Sequence, residues 1–241
     1  MTSQHEKWAV VTGGSIRGGL AITHALHRRG FSIVVHHSSA DSLPRAQAVV
    51  NELNKIRPNT ARRWQAALED HPAFPYDDLE VEKVVCNASQ LTMTDCADFE
   101  KGLLDFRIHV TGHAALLSSV EERLRRNHGS VVGVTDIQTA QPNKDFVWYH
   151  VAKSGLETLM RALAVQWAPE VRFNVVAPGP MDWHEGWNDE ERRQTILSGT
   201  PLQRIGSFDE LASTVAWLAC DATYITGQVI KMDGGRSVWL K

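Results

Sequence analysis

The amino-acid sequence predicts an α/β fold, a doubly wound parallel sheet of seven strands in one domain spanning residues 1–241. Three observations predict it. Short apolar runs alternate with segments of helical periodicity along the whole chain. A glycine-rich turn at 12–19 joins the first apolar run to the first helical segment, and the unpaired amides at such a helix start favour a phosphate. The length of 241 residues suits one core, and neither internal repeats nor low-complexity linkers divide it.

The first strand is expected at 8–12 and the first helix at 20–29, closed by Gly30. A second buried strand follows at 32–36. The next helix starts near 44, where Pro44 is tolerated in the first turn, and ends at 56 before Arg57-Pro58-Asn59. Residues 63–68 and 83–87 are the third and fourth strands. The segment between them carries two prolines and is too short for the usual crossover helix, so a shortened crossover is expected, open or covered by a loop. A long helical pattern runs from 95 to 127, a fifth strand lies at 130–134 and a largely apolar helix at 146–167. The sixth and seventh strands fall at 172–177 and 228–232. Between them, Asn188-x-x-Glu191 and Ser207-x-x-Glu210 have the form of capping boxes that start two helices. Ligands of such a sheet bind outside the carboxyl ends of its strands.

Composition narrows the function classes. The 25 basic residues are scattered among 28 acidic ones, for a net charge of −3, which gives no footprint for nucleic acid. No apolar run reaches the roughly 18 residues of a membrane span, and the start lacks a signal-peptide core, so a soluble, cytoplasmic protein is expected. Cys86, Cys96 and Cys220 show no paired spacing, and the histidines form no HExxH, so no metal is assigned.

One helix carries the chemistry. Tyr149 and Lys153 stand at i and i+4, on one face a turn apart, where an ammonium favours the phenolate and prepares a proton donor. The cofactor is read at the end of the second strand, where an acidic residue would bind the ribose of NAD and repel a 2′-phosphate. Here His36, His37, Ser38 and Ser39 precede the first carboxylate, Asp41, which predicts NADPH.

Several motifs recur in the order found in short-chain dehydrogenases/reductases: the turn at 12–19, Asn87-Ala88-Ser89, Tyr149-x3-Lys153, NVVAPGPM at 174–181 and YITGQVIKMDGG at 224–235. The chain resembles that family over essentially its whole length. The resemblance implies a Rossmann-like fold. It implies cofactor contacts from Gly13, Arg17, Gly19, Leu20, His36, His37, Ser38, Ser39, Leu68, Asn87, Ala88, Ser89, Thr135, Tyr149, Lys153, Pro178, Gly179 and Met181. Two substitutions resemble its pteridine reductase and dihydromonapterin reductase branch: Arg17 in place of a turn glycine, and Asp136 in place of serine thirteen residues before Tyr149. In that branch the arginine reaches both cofactor phosphate and pterin, and the aspartate assists the tyrosine. Substrate contacts are then expected from Arg17, Ser89, Leu91, Asp136, Tyr149 and Trp183, under a substrate loop at about 181–200.

Some positions depart from the family. Ala67 replaces the aspartate that meets adenine, Cys86 an asparagine, and His109 the asparagine of a proton relay. Leu91 lies near where pteridine reductases carry a stacking aromatic, a face that Met93 or a tryptophan at 181–187 would have to supply. The expectation is reduction of a pterin-type C=N bond (dihydropterin, dihydromonapterin or a dihydrofolate-like substrate) by NADPH, with Tyr149 as donor. The alternatives are a generic carbonyl or 3-oxoacyl reductase and a non-catalytic NADP-binding sensor or scaffold. The Tyr149 helix also resembles the family's subunit interface, so a homodimer or homotetramer is expected.

Overall fold

The computed structural model describes residues 6–183 and 189–239. Its core is a seven-stranded sheet in the order β3-β2-β1-β4-β5-β6-β7, with every neighbouring pair parallel. The strands are β1 (Lys7–Val11), β2 (Ser32–His37), β3 (Ala61–Gln65), β4 (Glu80–Cys86), β5 (Ser130–Val134), β6 (Arg172–Pro178) and β7 (Val229–Met232). Alternate strand residues face opposite sides. Ala9, Val11, Ile33 and Val35 pack under one layer of helices, α1 (Arg17–Arg28), α2 (Leu43–Ile56) and α7 (Phe208–Cys220). Trp8, Val10, Val34 and Val84 face the other layer, α4 (Gly112–Arg126) and α5 (Val147–Gln166). Order reverses beside β1, which opens the ligand crevice at the carboxyl ends of β1, β2 and β4.

Three expectations shift in detail. The third strand runs Ala61–Gln65, ending earlier than the expected 68, because its ladder with β2 closes at His37↔Gln65. Beyond that, Leu68 is buried in a 3-10 turn, Leu68–Asp70, so its apolar character reports packing and not strand. The helical pattern begins at Phe99 and is not uniform: α3 (Phe99–Phe106) passes through a π-helical turn, Arg107–Thr111, into α4. Asn188 lies outside the described residues. Asp189 caps α6 (Glu190–Ser198) by accepting from the Arg192 amide at 3.2 Å, while Ser207 and Glu210 form the expected box at α7.

The shortened crossover between β3 and β4 has a specific cover. Phe74 is buried and meets Trp64 and Tyr76 edge-on at 5.7 and 5.6 Å, and its amide donates to Ser119 Oγ at 3.0 Å. Arg123 of α4 lies 5.8 Å above the Phe74 ring and pairs with Asp77 at 3.1 Å. Prolines at 72 and 75 exclude a helix there, and an aromatic stack does the covering.

Buried histidines give the fold a pH dependence. Burial pushes His36 down to about 4 and His109 and His113 to about 3. Unfolded histidine titrates near 6.5, so below that value the unfolded chain binds protons these rings refuse, and their contribution to stability falls with pH. Asp105 and Asp136, whose carboxyls burial raises, act in the opposite sense. Comparing wild type with His113→Gln isolates one ring: between pH 6.5 and 5 the wild-type stability should fall more steeply, by about 1 kcal/mol per pH unit. Equal slopes in denaturant titrations would contradict it.

Candidate active site

The site begins where β1 and β4 end side by side. Thr12 Oγ1 accepts the amides of Asn87 and Ala88 at 2.8 and 2.9 Å, and Asn87 Nδ2 returns a bond to Thr12 O at 2.9 Å. Gly13 follows at φ +63°, and a Cβ on Gly19 would stand 2.1 Å from Gly13 O, so both positions require glycine for the turn to close. Leu20 packs against the core below. Arg17 opens α1 at φ 51°, but its guanidinium lies 5.5 Å over the Phe208 ring. The structure therefore does not bring Arg17 to the substrate side expected of it.

At the end of β2 the two histidines part. His36 is buried, its Nδ1 accepts from the Gly13 amide at 3.1 Å, and its Nε2 donates to Ala66 O at 2.9 Å. Both ring nitrogens are thus occupied by backbone, so His36 props the glycine turn and has no donor left for a phosphate. His37 Nδ1 lies 3.0 Å from Ser39 O and from Ser42 Oγ. A cavity of about 240 Å³ opens here, lined by Gly13, His37, Ser38, Ser42, Arg45, Leu68, Glu69 and Ser89 among others. Ser42 and Arg45 had no signal in the sequence; the 3-10 turn Ala40–Ser42 and the first turn of α2 bring them to the rim, a relation that no motif marks.

Tyr149 and Asp136 meet at the centre. The phenol donates to Asp136 Oδ2 at 3.2 Å, while Asp136 Oδ1 accepts the Gln138 amide at 2.8 Å, so one carboxyl both caps the turn after β5 and holds the tyrosine. Burial raises the Asp136 carboxyl above its usual range. The expectation that Lys153 depresses the phenol is corrected. Burial first, then the charge and hydrogen bond of Asp136, push Tyr149 well above its ordinary value. Lys153 Nζ donates to Val134 O at 2.9 Å and stands 5.7 Å from the Tyr149 ring centroid, with burial lowering the ammonium to about 8. The phenol is consequently held protonated, the form a donor needs.

Two further residues shape this centre. Glu157, one turn beyond Lys153, accepts from Thr135 Oγ1 at 2.9 Å and Thr139 Oγ1 at 3.0 Å, clamping the loop that carries Asp136. The Thr135 hydroxyl, expected at the cofactor, is thereby directed to Glu157. Ser89, on the opposite wall, lies 2.9 Å from His109 Nε2 and within hydrogen-bonding reach of the phenol. The i+4 spacing from Lys153 was a sequence signal for Glu157; nothing comparable marked the contact between Ser89 and His109.

Beside Asp136 a second cavity of about 490 Å³ is lined by Leu91, Ile137, Asn143, Phe146, Gly179, Pro180, Arg192, Ile196 and Arg236 among others. Leu91, expected on the substrate side, and Gly179, expected at the cofactor, both line this cavity, and Phe146 brings an aromatic side chain to its wall. Trp183 is placed elsewhere, 5.1 Å beneath the Arg193 guanidinium, and Trp187 lies outside the described residues. Pro178 ends β6, whereas Met181 lines a separate cavity with Gly206 and Thr214, away from Tyr149.

This arrangement, a glycine turn after β1 and a tyrosine and lysine one turn apart after β5, is an oxidoreductase site of a dinucleotide fold. Residues 82–237 match the family model described as enoyl-(acyl carrier protein) reductase. The chain is 30% identical to tropinone reductase-like 3 of Erythroxylum coca, covering 95% of this chain and 92% of that one. It is 28% identical to pteridine reductase 1 of Leishmania tarentolae, covering 98% of each. Among solved structures it is similar to the FolM alternative dihydrofolate reductase 1 of Brucella suis in complex with NADP, with 28% identity, a TM-score of 0.85, and 100% and 98% of the two chains covered. The chain belongs to the short-chain dehydrogenase/reductase family of oxidoreductases.

Because Asp136 is one cause of the raised phenol, Asp136→Asn should let Tyr149 ionise at lower pH than in wild type. Ultraviolet titration of the phenolate checks this, and an unchanged or higher midpoint would contradict it.

Proposed function

We propose that the protein is an NADPH-dependent reductase that transfers hydride to a pterin-type C=N bond and protonates it from Tyr149. The observation that carries this reading is the hydrogen bond from Tyr149 to the buried carboxyl of Asp136, a group able to hold a proton and pass it to the phenol. Further support comes from the relatives named pteridine reductase and alternative dihydrofolate reductase.

The residues present fit NADPH. Gly13 and Gly19 let the turn close at the start of α1, and Gly13 lines the cavity there without a side chain, where unpaired amides favour a pyrophosphate. Ser38 and Arg45 offer a hydroxyl and a cation at the end of β2, where a 2′-phosphate needs both. The bound nicotinamide would supply the hydride. Lys153, already fixed on Val134 O, orients the ribose side of the site, and Glu157 keeps the Asp136 loop in place through Thr135 and Thr139. The substrate would lie in the cavity between Asp136 and Phe146.

Association of subunits is part of the proposal. Phe99, Leu103 and Phe106 of α3 and Val151 of α5 leave a run of apolar side chains exposed beside Trp148. Such a face suits a second copy of the chain, in a dimer or tetramer.

With NADPH and a dihydropterin, Tyr149→Phe should lower kcat by roughly 100-fold or more, the usual scale of a lost general acid, while NADPH binding measured by fluorescence stays near wild type. NADH should serve less well than NADPH. Retained turnover in the phenylalanine variant would contradict the mechanism, and better turnover of a simple ketone than of any dihydropterin would favour a carbonyl reductase.

A further inference from the structure

His109 lies outside the machinery described so far, yet every proton around it can be placed. It sits fully buried in the π-helical turn Arg107–Thr111, with its ring 5.6 Å from that of Tyr149 and edge-on to it. The wider turn sets His109 Nδ1 2.8 Å from the carbonyl of Asp105. A carbonyl only accepts, so Nδ1 carries the proton, and a buried ring without an anionic partner stays neutral. Nε2 then offers a lone pair, and the group 2.9 Å away is Ser89 Oγ. The Ser89 hydroxyl has one proton and must direct it inward to that lone pair. Its other acceptors are Gln90 O, longer at 3.4 Å, and the Tyr149 oxygen within reach, but the His109 Nε2 lone pair has no other donor than Ser89 among the described bonds, so the Ser89 proton is the one that satisfies it. The remaining lone pairs of Ser89 face the cleft, where the residue is exposed and lines the cofactor cavity. His113, one turn on, repeats the pattern: its Nδ1 donates to His109 O at 3.0 Å and its Nε2 faces Thr12 Oγ1 at 3.0 Å.

We propose that His109 is a positioning residue that commits Ser89 to accepting hydrogen bonds from the cleft, so that the site selects substrates carrying an N–H donor beside the reducible bond. A serine is ordinarily indifferent, able to donate or accept by rotating its hydroxyl. Locked by His109, it gives nothing to a ketone oxygen, which brings only lone pairs. It completes a bond to a ring N–H or amino group of the kind that flanks the C=N of a reduced pterin. Leaving such a polar group unpaired is the stronger discriminator, because the mismatched substrate strands an acceptor against an acceptor. The substrate half of this inference rests on the pterin reading above; the tautomer and the direction of the Ser89 bond do not.

The test uses the full-length wild type, His109→Leu, His109→Gln, Ser89→Ala and the double variant Ser89→Ala/His109→Leu, each assayed with NADPH against a dihydropterin and a simple ketone. His109→Leu should lower kcat/KM for the dihydropterin relative to the ketone by about tenfold, the worth of one hydrogen bond. The loss should fall in KM more than in kcat. Ser89→Ala should match it, the double variant should add nothing further, and His109→Gln, whose carbonyl also accepts, should retain most of the selectivity. Nitrogen-15 NMR of the wild type and of His109→Gln gives a readout independent of turnover: in the wild type, His109 should be neutral at pH 7 with the proton on Nδ1. A proton on Nε2, directed toward Gln90 O, would overturn the inference, as would equal losses for both substrates or an additive double variant; the pterin reading would survive all three. Absence of any dihydropterin turnover in the wild type would overturn the pterin reading and the proposed selectivity together, while the NMR result would still decide the direction of the Ser89 bond.

Discussion

The hydroxyl of Thr12 is the constraint on which the site depends. By gathering the amides of Asn87 and Ala88 it draws the ends of β1 and β4 together, and it meets His113 from the helix behind. The glycine turn can then leave β1 with no side chain between Gly13 and Ala88, and Ser89 emerges next to Tyr149. Parallel strands order their ends this way because the crevice lies where neighbouring crossovers diverge, and a polar group there must be satisfied from the strand ends themselves.

The electrostatics of the centre follow from dryness more than from charge pairing. Tyr149, Lys153, His109 and His113 are all buried, and in each burial is the leading cause of the displaced pKa. Neutral forms are therefore favoured for the phenol and both imidazoles, and each neutral group has a defined donor and acceptor side. A donor tyrosine beside a raised carboxyl is a different device from a tyrosine activated by a neighbouring ammonium. The buried carboxyl of Asp136 is raised and does not stabilise the phenolate.

Much of this was legible in the sequence. The alternation of strands and helices, the glycine turn, and Tyr149 with Lys153 follow from local periodicity and spacing, which fix what lies one turn or one strand away, while Asp136 as their neighbour was what the family resemblance implied. Side-chain direction was not legible. Arg17 and the two histidines of β2 looked alike as candidate phosphate ligands, yet Arg17 lies over Phe208 and His36 is taken up by two backbone groups. Those outcomes depend on residues distant in sequence, as do Phe146 and Arg45 at the cavity rims. Lys153 erred for another reason: the i+4 rule gave the contact correctly but not the competing carbonyl of Val134 or the depth of burial.

The central proposal is that Asp136, when protonated on Oδ2 and with its bond to the phenol reversed, serves the tyrosine during reduction. Single-turnover hydride transfer from NADPH to a dihydropterin, followed against pH in wild type and Asp136→Ser, tests it most directly. The account predicts a wild-type rate that falls as pH rises through the ionisation of the raised carboxyl, and a slower, flatter profile for the serine variant, since a hydroxyl has no proton to lose in that range. Superimposable profiles would contradict it.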